Sequence, residues 1–129
     1  MSGDHLKLSL SLADAAALRR GVDPWEVRGF YGLLKQYSEL KSWQVAIAAP
    51  VVAEIREFNN QTVGQLAKAH LTEARLRRLL SSRDREDLVR HLRTLIRISG
   101  RSGSPDEFVK TIAFWGESQR RRIAQDFFG

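Results

Sequence analysis

The chain has 129 residues, 43% of them hydrophobic, a formal net charge of +6 and no cysteine, a length that suits one compact domain burying roughly two-thirds of its unfolded surface. The missing thiols exclude disulfides, thiolate zinc sites, iron–sulfur clusters and cysteine nucleophiles, and they suit a reducing compartment. No apolar run approaches the ~20 residues of a bilayer span, and Met1 to His5 lacks the basic start and apolar stretch of a secretory signal, so the sequence predicts a soluble, cytoplasmic protein with no membrane partner.

The punctuation is helical from end to end, with no β-hairpin dipeptide between alternating apolar residues, and predicts an all-α bundle of about six to eight helices. One domain over residues 1–129 is the simplest organisation, and two small helical lobes sharing a core satisfy the same length. Ser11 caps a helix carrying Leu12, Ala15, Ala16 and Leu18, which ends at Arg19, Arg20 and Gly21. Asp23, Pro24 and Glu26 supply an N-cap, a first-turn proline and an N3 carboxylate for a second helix to about Tyr37. Lys41 to Phe58 reads as a third, apolar segment in which Pro50 forces a kink or a new start. Thr62 with Gln65 frames a short helix through His70, Thr72 caps another through Leu80, and Asp84 with Asp87 caps a longer one through Ser99. After a Gly/Ser loop at 101–104, Ser104 and Pro105 open a helix holding Phe108, Ile112 and Trp115. Gly116 separates it from a last helix, Glu117 to Phe128, with Ile123, Ala124 and Phe127 inward.

Charge is divided unevenly along this series. Residues 1–65 hold seven Lys/Arg and seven Asp/Glu, whereas residues 66–129 hold fourteen and eight, and twelve of those fourteen cations are arginine. The first half therefore reads as packing and the second as a basic half facing a polyanion, for which nucleic acid is the commonest candidate.

The densest constellation lies on the helix from Arg85 to Ser99. At roughly 100° per residue, Leu88, Val89, Leu92, Leu95 and Ile96 share one arc while Arg90, Arg93 and Arg97 fall within about 60° of each other outside it. Their axial spacing of roughly 4.5 to 6 Å lets successive guanidinium forks reach neighbouring phosphates. A merely solvated face would interleave acids with bases, and no acid lies between Val89 and Ile96. Arg75, Arg77 and Arg78 extend the basic area, although adjacent positions cannot all face one way.

Catalytic chemistry has little support. His5, His70 and His91 have no i+4 partners, Asp84, Glu86 and Asp87 are accounted for by helix capping, and no phosphate loop or nucleophile elbow occurs. The sequence implies no cofactor, no metal and no enzyme. Thr62 to Leu80 resembles a helix-turn-helix segment and keeps a DNA-binding transcriptional regulator as the alternative, although an Arg-rich second helix suits phosphates better than base edges. A purely structural adaptor is a third reading. Of the rings, Trp115 and Phe127 read as core and Phe128 as the best exposed stacking candidate.

Leu79-Leu80-Ser81-Ser82-Arg83-Asp84-Arg85-Glu86-Asp87-Leu88, followed by His91-Leu92-Arg93, resembles the CasB-type small-subunit family of the type I-E CRISPR Cascade complex. So does the ending, Trp115-Gly116-Glu117 through Arg120-Arg121-Arg122 to Asp126-Phe127-Phe128-Gly129, and Leu18-Arg19-Arg20-Gly21 with Phe30-Tyr31 echoes the family's N-terminal region. The resemblance is dense over residues 73–129. It implies a non-catalytic, all-helical subunit present in paired copies beside the large and backbone subunits of a crRNA-guided surveillance complex, where it stabilises the R-loop in antiviral defence. The implied partners are crRNA and the target and non-target DNA strands. Guide pairing would then read sequence, leaving backbone contacts to this chain. By position the contact candidates are Arg19, Arg20, Arg75, Arg78, Arg90, Arg93 and Arg97, with Arg120, Arg121 and Arg122 beside them; Arg19 and Arg20 also suit a helix C-terminus.

Overall fold

Five short polar side chains start helices where the sequence predicts. The computed structural model describes residues 10–129, so the readings of His5 and of the segment from Met1 fall outside the described residues. The helices are α1 (Leu12–Arg19), α2 (Phe30–Gln36), α3 (Ser42–Glu54), α4 (Val63–His70), α5 (Glu73–Leu80), α6 (Arg85–Ile98), α7 (Pro105–Ala113) and α8 (Glu117–Phe128). Ser11, Thr62, Thr72, Asp84 and Ser104 each accept the backbone N–H three residues on, satisfying a donor that the helix itself cannot. Gln65 returns the favour at α4 by accepting from the Thr62 N–H at 2.9 Å.

α3 is the hub. It packs against α1, α2, α6 and α7, while α4 lies along α8. Val45, Ala48, Ala49, Val51 and Val52 of α3 join Leu18, Phe30, Leu33, Leu88, Leu92, Leu95, Ile96, Phe108 and Ile112 in one continuous buried cluster. Burial on this scale supplies most of the stabilisation of such short helices, which are marginal alone. The α4–α8 contact is close because residue 64 is glycine: a Cβ there would stand 2.5 Å from Asp126 Cβ and 2.6 Å from the Ile123 carbonyl oxygen. Thr62 Oγ1 donates to Asp126 across the same contact at 2.7 Å.

The structure departs from the sequence reading in three places. The segment expected to be one helix from Pro24 to Tyr37 is a single 3-10 turn, Pro24–Glu26, followed by α2. Val27 is extended and buried, and the Gly29 N–H donates to the Asp14 carboxylate at 3.0 Å, so tertiary contacts break the helix at two poor helix formers. The third segment starts no new helix at Pro50, which is half-buried inside α3 and has no N–H for the Ala46 carbonyl, but it ends at Glu54 rather than Phe58. Residues 57–58 instead pair in parallel with 102–103, the one small exception to an all-α fold among the described residues. Trp115 lies beyond α7, half-buried, with Arg120 4.8 Å above its ring.

Candidate nucleic-acid interface

α6 positions the basic face. Asp84 caps it, Glu86 and Asp87 sit in its first turn where the dipole favours anions, and Leu88, Leu92, Leu95 and Ile96 anchor it in the core. The three arginines that leave this anchor have different environments. Arg90 is 74% exposed and donates to Asp87 at 2.7 Å, a surface pair of small energetic weight. Arg97 is 51% exposed and Arg93 only 21%.

Both Arg93 and Arg97 turn to a carboxylate that the sequence reading did not use. Glu54, at the C-terminal end of α3, is completely buried and accepts from Arg93 Nε at 2.9 Å, Arg97 Nη2 at 2.7 Å and Arg101 Nη1 at 2.6 Å. Burial alone would raise this carboxyl, but the hydrogen bonds from Arg97, Arg93 and Arg101 outweigh it and hold Glu54 below the usual carboxylate range. Arg93 also donates to the Arg19 carbonyl at 2.8 Å, and Arg19 donates to the Ala53 carbonyl at 3.0 Å. Burial, and then the Arg101 guanidinium, lower Arg19 from its ordinary value, with Arg56 and Arg93 acting in the same sense. One carboxylate against three guanidinium groups leaves a local charge of +2 before Arg19 and Arg56 are added. The expected face is thus a neutral-edged ridge only at Arg90; at Arg93 it is sewn to the interior, and at Arg97 it is half-sewn.

Two open grooves border α6. One, about 280 Å³, is lined by Glu86, Val89, Arg90, Arg93, Thr94 and Arg97. The other, about 250 Å³, lies against α5 and is lined by Leu71, Arg75, Arg78, Leu79, His91 and Thr94. They adjoin at Thr94, so Arg75 and Arg78 continue the basic surface around the helix. Arg77, the third arginine of α5, pairs with Glu73 at 3.0 Å instead. A more apolar groove of about 380 Å³, with Tyr37, Glu39, Asp106, Lys110 and Phe114 in its wall, sets two acids against one lysine and suits phosphate less.

Several other arginines, Arg120 to Arg122 of the predicted contacts and Arg85 outside that set, have structural duties. Arg120 donates to the Leu80 and Ser82 carbonyls, each at 3.0 Å, closing the C-terminal end of α5. Arg85 does the same for α7 through Ile112 and Ala113, its guanidinium 5.1 Å from the Trp43 ring centroid. Arg121 pairs with Glu117 at 2.6 Å and Arg122 with Glu107 at 3.1 Å. Arg20 is exposed as the C-cap of α1. The structure therefore gathers Arg19, Arg93 and Arg97 around Glu54, leaves Arg75, Arg78 and Arg90 in the adjoining grooves, and sets Arg120, Arg121 and Arg122 on a different helix, α8.

Glu54, Arg56 and Arg101 are the residues that sequence reasoning missed. A lone acid in the apolar run Val51-Val52-Ala53-Glu54-Ile55 was the available signal, since a buried carboxylate needs cationic partners. Among the described residues no cluster of three His, Asp or Glu side chains could hold a metal, and no helix is long and apolar enough to cross a membrane.

Fold and surface together define a class: a small helical protein whose principal charged constellation is basic and is built on the outer side of one amphipathic helix. The family model of the CRISPR-associated protein Cse2 matches residues 14–128, and the chain belongs to that family. A chain in a crystal structure of E. coli Cascade bound to a PAM-containing dsDNA target shares the fold, with a TM-score of 0.68 and 20% identity over 92% of this chain and 87% of that one. No curated protein matches.

Proposed function

We propose that the chain is a non-catalytic small subunit of a crRNA-guided Cascade complex that grips nucleic-acid backbone through the arginines bordering α6. The single observation that carries this reading is the excess of guanidinium over carboxylate around α6: Arg75, Arg78 and the Glu54 cluster together outnumber their acidic partners. Family membership supports the assembly, with crRNA, the target and non-target DNA strands, the large and backbone subunits and a second copy as partners. Guide pairing supplies sequence recognition in such a complex, so the small subunit needs phosphate contacts and no base-reading set. The arginines neutralise phosphates of an opened strand and release counterions, tipping a near-balanced exchange of duplex for hybrid toward the open state. Membership of the Cse2 family leaves the helix-turn-helix regulator reading without support.

Fluorescence anisotropy on single-stranded DNA tests the mechanism. With about four phosphates neutralised at a slope of about −0.7 each, raising salt from about 50 to about 200 mM weakens binding about 50-fold, alike for unrelated sequences. Strong preference for one short duplex contradicts the reading in favour of a regulator; no affinity at low salt contradicts it in favour of an adaptor.

A further inference from the structure

The Glu54 cluster is built with more care than charge neutralisation needs. Three guanidinium groups converge on one fully buried carboxylate from sequence separations of 39, 43 and 47 residues. Arg101 makes its contact from a left-handed backbone conformation, φ 62°, which residues with a Cβ rarely adopt. It follows Gly100, also at positive φ, in a helix ending where the Arg101 N–H returns to the Ile96 carbonyl at 2.8 Å. The Arg101 carbonyl then accepts the Arg56 and Glu57 N–H groups at 2.7 and 3.1 Å, fixing the backbone of Arg56 against the same turn. Strain retained at a charged side chain is a pointer to function rather than to packing.

Glu54 engages one nitrogen of Arg97 and one of Arg101, whose side chains are 51% and 34% exposed. A guanidinium carries five N–H donors in a planar fork, so both keep outward donors after Glu54 is satisfied. We propose that Glu54 is a positioning residue, and that the two guanidinium groups it aligns and leaves partly exposed, those of Arg97 and Arg101, form a preorganised site for one phosphodiester group of a nucleic-acid strand. The inference rests on the nucleic-acid reading above and adds its site: the arginines are held in place before the strand arrives, so little side-chain entropy is lost on binding.

Charge and positioning predict opposite signs, which makes the test decisive. Glu54→Gln raises the net charge by one, so a purely electrostatic surface binds DNA more tightly and with at least the wild-type salt slope. Positioning predicts that E54Q binds random-sequence single-stranded DNA about fivefold more weakly, with a salt slope smaller by about one phosphate. Arg101→Lys is the second arm: it keeps the charge and discards the fork, and it is expected to weaken binding about threefold or more. The measurement is anisotropy titration of the full chain well below the melting temperature of each variant. Should E54Q fail to fold, R101K decides alone. Wild-type binding with E54Q as tight or tighter, or with R101K equal to wild type, overturns the site and leaves the nucleic-acid reading standing. A wild type that binds no DNA at low salt overturns both.

Discussion

Arg101 reaches Glu54 at 2.6 Å, the shortest of that carboxylate's three ion pairs, from the turn that leaves α6. The contact ties the last turn of α3 to the two-residue parallel ladder between 57–58 and 102–103, and so couples a buried charge to the surface on which nucleic acid is expected.

That buried charge sets an acid limit. The folded-state pKa of Glu54 is depressed, so its contribution to stability is present above the unfolded value of about 4.3 and disappears as pH falls through the folded value. Urea melts should show E54Q less stable than wild type at pH 7 by about 2 to 3 kcal/mol, less than the full cost of breaking a buried pair because the arginines are partly exposed. The gap should narrow as pH drops below about 4. A gap that widens in acid contradicts the assignment.

Gly64 is a packing requirement. Gly64→Ala sets a methyl against Asp126 Cβ and the Ile123 backbone, neither of which is the free end of a flexible side chain. The expected cost is about 2 kcal/mol in urea unfolding. Wild-type stability would mean that α4 and α8 are not held as closely as described.

Arg120 and Arg121 are neighbours with different duties. Arg120→Ala strips the Leu80 carbonyl of its donor, leaves the Ser82 carbonyl with only the long contact from Trp115 Nε1 at 3.5 Å, and removes the cation above Trp115, for an expected loss of about 1 to 2 kcal/mol. Arg121→Ala removes only an exposed i,i+4 pair and should change stability by less than about 0.5 kcal/mol. Thermal melts of the two variants side by side check this ordering, and equal losses would contradict it.

The starts of α1, α4, α5, α6 and α7 were legible because each rests on a local exchange: a hydroxyl or carboxylate at one residue and an orphan N–H three residues on. The end of α1 was legible for the same reason, with Gly21 at φ 91° where the turn needs it. What the sequence hid depends on distant contacts. Val27 breaks the expected second helix because it is buried and Gly29 is held by Asp14. Arg93 lies about 40° from Val89 on the helical wheel, at the border of the apolar arc, yet nothing local says that a carboxylate from α3 waits there. The basic character of α6 could be read from spacing; the division of its arginines between core-tied and solvent-facing could not.

The most direct measurement is the salt dependence of DNA binding for Arg75→Ala, Arg78→Ala, Arg90→Ala and Arg97→Ala combined, four residues lining the two grooves at α6. The account predicts that the slope of log affinity against log salt falls by about 2 units for single-stranded DNA of any sequence, in a protein that still melts cooperatively. An unchanged slope and affinity in that folded variant would contradict it.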